Sequence, residues 1–295
     1  MMKRRIFSLV IVVVMIFMCL SVFVNRASAD GDGSSTRGPN MGAGPMPPLT
    51  PKQKAIYNKK EADFQKWLSK QPKDVDPLDI PLKTNKNVLS PLTTESGHIS
   101  IPLRTQEKYY WCGPASAQEV LDYNWGYLST KSKYSQSFLA DKMGTNSTDG
   151  TYVYKLTNAL NQYKYKYSSF FWVYYQISSD ETTAANDLYL KTKEDISGYE
   201  GLVYHTNTYP YYGYDVWGER YGLVGYFDPY SKAGHSTGHY VVGYGYIQED
   251  SGKHRVSYLD SYDGNYGWGT ILGRHTIDAR NMATCVIYNA QYIIY

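Results

Sequence analysis

The chain has 295 residues, 30 Lys and Arg against 27 Asp and Glu, three cysteines and 32 tyrosines. Removing the four basic residues Lys3, Arg4, Arg5 and Arg26 of the first 29, which hold no acids, turns the net charge of +3 into −1. That balance excludes a basic field for a nucleic-acid partner. With no Walker motif, no GxGxxG between a strand and a helix, no CxxC pair and no HExxH, neither a cofactor nor a metal is expected.

Residues 1–29 read as an export signal. Lys3-Arg4-Arg5 is a basic head, 6–24 an apolar stretch, and Ala27-Ser28-Ala29 a small-x-small cleavage site before Asp30. The stretch is long for a signal core, so an uncleaved anchor is the alternative; cleavage leaves no stable membrane insertion. Cys19 is a poor lipoprotein site because Ile16, Phe17 and Met18 before it are bulky.

Residues 30–96 form a Gly/Pro/Ser-rich spacer plus one helix, a propeptide or an accessory segment. The helix is predicted from Thr50-Pro51 to before Pro72, with Ile56, Phe64, Trp67 and Leu68 as its apolar stripe and lysines opposite. Prolines at 72, 77, 81 and 91 predict an extended segment after it.

Residues 97–295 are enough for one core. Helical signals come first. Pro114 marks a helix start, and further helices are predicted near 135–143, over 151–163, and ending near 187–192. Strands follow at 169–175, 201–205, 239–247, 255–259, 269–272 and 285–288. Helices first and an antiparallel sheet afterwards give an α+β fold. Most tyrosines are expected to pack at sheet faces and in loops. The tyrosine-rich stretch 206–230 is a candidate substrate lip, and Asp228 within it a turn former.

The chemistry gathers around Cys112. In Cys112-Gly113-Pro114-Ala115 the sulfur sits at a helix N-terminus, where an anion is stabilised by about 0.3 to 1 kcal/mol, favouring the thiolate. Gln106, six residues earlier, is a carboxamide donor able to form an oxyanion hole with the Cys112 N–H. Tyr110 and Trp111, next to the sulfur, are the candidate substrate contacts. His239 opens a strand and is the candidate base, His235 being a loop histidine. The return strand of the hairpin ends at Asp260, which therefore falls close to His239 as the orienter. Asp263 and Asn265 are the alternatives to Asp260. A structural reading competes at each position, a buried cysteine being commonly an inert small hydrophobe. Cys285 is expected to be such a thiol, free and buried in an apolar strand, rather than a disulfide partner of Cys112.

The run from Gln106 to Pro114, its lead-in 99–105, and Gly238-His239-Tyr240-Val241-Val242-Gly243-Tyr244 followed by an aspartate resemble the bacteriocin-processing-like (double-glycine-type) cysteine peptidases of the papain-like superfamily. The match covers roughly residues 97–270. The resemblance implies a papain-like fold and peptide-bond hydrolysis through an acyl-enzyme, with Cys112 as nucleophile, His239 as base, Asp260 as orienter and Gln106 as oxyanion donor. The better-known members are fused to export transporters and act in the cytosol, whereas this chain carries an export leader. The expected partner is a polypeptide substrate at or beyond the cell surface. A cell-wall peptide cut by the same residues, and a catalytically silent papain-like binding domain, are the rival readings.

Overall fold

The computed structural model describes residues 46–71, 95–208, 222–226, 237–264 and 270–295. Within them, chain order runs α1 (Pro51–Leu68), β1 (Glu95–His98), α2 (Cys112–Asn124), α3 (Gln136–Met143), α4 (Val153–Tyr163), β2 (Tyr174–Gln176) and α5 (Glu181–Ser197). Then come β3 (Leu202–Asn207), β4 (Gly238–Gln248), β5 (His254–Asp260), β6 (Gly273–Asp278), α6 (Ala279–Ile287) and β7 (Tyr292–Ile294). This is the α+β layout expected of helices followed by strands. The leader, most of the spacer and of the 206–230 stretch, His235, Asp228 and Asn265 lie outside the described residues.

The helix boundaries have local causes. Thr50 caps α1 in a reciprocal capping box with Gln53. The Ser135 side chain accepts from the Phe138 N–H to start α3, and Gly144, at φ 59°, ends it in the left-handed conformation. The Asp180 side chain caps α5, which runs past the predicted end at 192 to Ser197.

All strand pairs are antiparallel, in the order β2-β7-β3-β4-β5-β6, with β1 paired to the second half of β4. In the first half of β4, His239, Tyr240, Val241 and Val242 are all buried, so both alternating sets of side chains face protein. Helix α2 packs against β4 and against α3 and α4; α5 lies on β4 and β1, and α6 on β3 and β5. The largest buried side chains include Trp172, Tyr189, Tyr204, Tyr226, Tyr240 and Tyr258. Each fully buried aromatic of this size removes about 150–250 Å² from water.

Several predicted elements are corrected. Cys285 is indeed a free, buried thiol, but it lies in α6 rather than a strand. Asp278 caps that helix, accepting from the Arg280 N–H at 2.7 Å. The strand expected at 269–272 forms instead at Gly273–Asp278, and that at 169–175 shrinks to Tyr174–Gln176. Lys60, expected on the solvent side of α1, points inward, with 11% of its side chain exposed.

Candidate active site

Helix α2 begins at Cys112 itself, so Pro114 is its third residue rather than its first. Proline is tolerated there because N–H groups of the first turn have no acceptor within the helix. The helix is buried on every side from Cys112 to Asp122. Two of its polar residues are tied down: Gln118 Nε2 donates to the Tyr134 carbonyl at 2.7 Å, and Asp122 accepts from Arg104 Nε at 2.8 Å and the Lys133 N–H at 2.7 Å. Gly113 lets the helix start sit close to its neighbour, since a Cβ there would meet Thr151 Oγ1 at 2.4 Å and Thr151 Cβ at 2.6 Å. Tyr240 from β4 holds Thr151 on the other side, its hydroxyl donating to the Thr151 carbonyl at 2.7 Å.

The hairpin delivers the other two groups. β4 and β5 pair from Val242 opposite Leu259 to Gln248 opposite His254, with an irregularity between Gly243 and Gly245. His239, at the open end of β4, thereby meets Asp260, the last residue of β5. His239 Nε2 lies 2.9 Å from Asp260 Oδ1. The same carboxylate oxygen accepts the Tyr262 N–H at 3.0 Å, which fixes its position. The Cys112 sulfur is close enough to the imidazole to favour its charged form. With Nε2 engaged by Asp260, Nδ1 is the ring nitrogen left for the sulfur. The Tyr226 hydroxyl approaches Nε2 at 3.4 Å.

The site is buried, Cys112 being 2% and His239 5% exposed. Burial works against a charged imidazole. The Asp260 carboxylate, and after it the Cys112 sulfur, outweigh that penalty and lift His239 to about 10. A protonated imidazole between a carboxylate and a sulfur is the arrangement that holds a thiolate ready. At Cys285, burial pushes the thiol up to about 12.

Gln106 reaches the site from the segment before α2. Its backbone N–H donates to the Ser261 carbonyl at 2.8 Å, and its Nε2 donates to the Lys108 carbonyl at 2.9 Å. A carbonyl only accepts, so this contact fixes which end of the carboxamide faces Lys108. One N–H of the amide group remains for a ligand. Trp111 is buried, with the Lys108 ammonium 4.4 Å from its ring centroid. Tyr110 stacks edge-on against Trp111, and Tyr109 beyond it is 65% exposed.

The structure thus bonds His239 to Asp260, brings the Cys112 sulfur near enough to act on the imidazole, and ties Gln106 to the segment after Asp260 through Ser261. The carboxylate bonded to His239 is that of Asp260 rather than Asp263. Glu119, which sequence reasoning passed over, is also buried within this group: its Oε1 accepts from the Arg104 N–H at 2.8 Å and the Ser261 hydroxyl at 3.0 Å.

Comparison with known proteins agrees with the chemistry. The sequence pattern of one family, described as the Peptidase_C39 like family, matches residues 98–275. No curated protein matches the chain. Among solved structures it is similar to the bromelain protease from Ananas comosus in complex with the E64 inhibitor, at 14% identity, covering 66% of this chain and 93% of that one, with a TM-score of 0.37. It is similar also to the proform of the Amb a 11 cysteine protease, a major ragweed pollen allergen, at 12% identity, 70% and 66% coverage and a TM-score of 0.39. A recombinant stem bromelain precursor gives 12% identity, 85% and 93% coverage and a TM-score of 0.34. Likenesses this distant assign no residues.

Proposed function

The chain belongs to the Peptidase_C39 like family and is a cysteine-type peptidase with an α+β fold; from that premise we propose that the fold is papain-like, that Cys112, His239 and Asp260 are its catalytic triad and that Gln106 is its oxyanion donor. The observation that carries this reading is one buried imidazole bonded to Asp260 Oδ1 at 2.9 Å, with the Cys112 sulfur at the start of α2 near enough to favour its charged form.

In this reading the Cys112 proton passes to His239 Nδ1 and the thiolate attacks the scissile carbonyl carbon. The new oxyanion is held by the Cys112 backbone N–H, a first-turn donor with no acceptor in its helix, and by the remaining N–H of Gln106. His239 then protonates the leaving amine, the C–N bond breaks, and an acyl thioester stays on Cys112. His239 next takes a proton from water, whose oxygen displaces the sulfur and releases the acid. Asp260 holds the ring in one tautomer and stabilises its protonated form. Tyr110 and Trp111, flanking the sulfur, contact the substrate chain.

The substrate in this reading is a polypeptide outside the cell. Export is supported by the basic head, apolar stretch and Ala27-Ser28-Ala29 of the leader. Incubating the purified protein with a quenched fluorescent peptide library, with and without prior iodoacetamide, tests the assignment. Turnover should vanish when Cys112 alone has been alkylated, Cys285, whose thiol is pushed up to about 12, staying unmodified. Undiminished turnover with Cys112 fully modified would remove Cys112 from the mechanism.

A further inference from the structure

Glu119 lies seven residues after Cys112, about two turns along the same face of α2. It is fully buried, and burying a carboxyl is costly unless its partners compensate. The two donors to its Oε1 belong to the two segments that carry the rest of the site. Arg104 precedes Gln106 by two residues, and Ser261 directly follows Asp260. These segments are joined to one another as well, through the Gln106 N–H and the Ser261 carbonyl. Nucleophile helix, oxyanion segment and orienter segment therefore converge on one oxygen atom. The Arg104 guanidinium is engaged elsewhere, with Asp122 and the carbonyls of Tyr127 and Lys131. Glu119 thus holds the backbone of Arg104 rather than its charge.

We propose that Glu119 is a positioning residue of the peptidase reaction, a peg on the nucleophile helix that sets Gln106 and Asp260 in register with Cys112 and His239. The proposal rests on the triad and oxyanion assignment made above. The peg works in its uncharged form. Burial pushes the carboxyl up, the Arg104 N–H and the Ser261 hydroxyl pull it down, the Asp260 charge pushes it up again and the Arg104 charge pulls it down, leaving it at about 8. Its second oxygen is buried without a hydrogen bond. Above that pH a buried anion beside Asp260 is driven towards water, and the three segments loosen. A carboxamide imitates the neutral acid, offering an acceptor on one side and a donor on the other.

The test is steady-state kinetics from pH 5 to 10.5 on a fluorogenic peptide, with Cys112→Ala as control. Glu119→Met, which keeps the volume and removes the acceptor, should lower kcat by about 10²-fold, the cost of a misplacement near 1 Å, with KM little changed. Glu119→Gln should restore most of kcat. It should also abolish the fall in kcat that the unmodified enzyme shows near pH 8, leaving only the limb near 10 set by His239. A Met variant with undiminished kcat, or a Gln variant that keeps the limb near 8, overturns the proposal. Should Glu119→Met fail to fold, the pH profile of Glu119→Gln decides. Activity surviving in Cys112→Ala would instead fault the triad assignment on which the proposal stands.

Discussion

Beneath α1, Lys60 meets Asp195 at 3.2 Å and Glu200 at 3.0 Å, and the wholly buried Lys191 meets Glu61 and the Tyr295 hydroxyl, each at 3.1 Å. The rings of Phe64, Tyr175 and Tyr295 surround Lys191 at 4.0 to 4.2 Å. At the mouth of β4, by contrast, a single imidazole is bonded to one carboxylate and lies near one sulfur. Around it Asp260 Oδ2, Gln106 Oε1 and Glu119 Oε2 are buried without hydrogen bonds. Both regions bury charge and both leave buried acceptors without hydrogen bonds, Asp195 Oδ1 and Oδ2 in the first among them; they differ in that each ammonium of the first has several partners, whereas the second centres on one imidazole. An over-determined cation fastens one element to another. An imidazole held by a single carboxylate is a group that can change its proton count during a reaction.

The contrast can be broken at either end. The largest effect belongs to Cys112→Ala, which should lower kcat/KM by at least about 10⁴-fold while leaving the melting temperature in place, measured by peptide turnover beside thermal unfolding. Lys60→Met should do the reverse. It leaves Asp195 and Glu200 buried without their cation, a loss of about 3 to 5 kcal/mol in urea unfolding, with kcat per folded molecule unchanged. If Lys60→Met impaired kcat without loss of stability, the seam under α1 would have to be counted as part of the site.

Asp260→Asn sharpens the comparison through pH. It should reduce kcat/KM by about 10²-fold, less than a lost nucleophile because a carboxamide oxygen still accepts from His239. His239 lies above its unfolded value, so its charged form adds stability that is fully present below about 6.5 and disappears as pH rises through about 10. Without the Asp260 charge, the alkaline limb of kcat/KM and the alkaline loss of stability should both move to lower pH. The smallest effect is expected for Gly113→Ala. The added methyl must displace Thr151, at about 1 to 3 kcal/mol, and a lower Cys112 alkylation rate would show that the sulfur had moved with it.

How far these regions were legible in the sequence follows from how local their causes are. The turn at 249–253 and the strands beside it announce a hairpin, and a hairpin alone places Asp260 near His239. Ser135 and Gly144 bound α3 by their own conformational preferences. The end of the chain misleads because Cys285-Val286-Ile287 is as apolar and β-branched as a strand; the cap at Asp278 decides for a helix. Lys60 and Lys191 look like ordinary surface lysines until the sheet supplies Tyr175 and Tyr295 from distant positions. Glu119 was silent for a related reason. A lone acid on a helix is normally solvated, and only its phase with Cys112, beside Val120 and Leu121 on a buried helix, hinted otherwise.

The β4–β5 ribbon separates tolerance from constraint along its own length. His239 and Asp260 occupy its open end, whereas Asp250, Ser251 and Gly252 sit exposed at the closed end, about 30 Å away at the usual rise per strand residue. An epitope inserted between Ser251 and Gly252 would lengthen the loop without disturbing the pairing that aligns acid and base. Deleting a single residue inside β5 would turn every following side chain to the opposite face. Tags, reporters and inherited insertions therefore have a natural harbour in this ribbon, at the end remote from its chemistry.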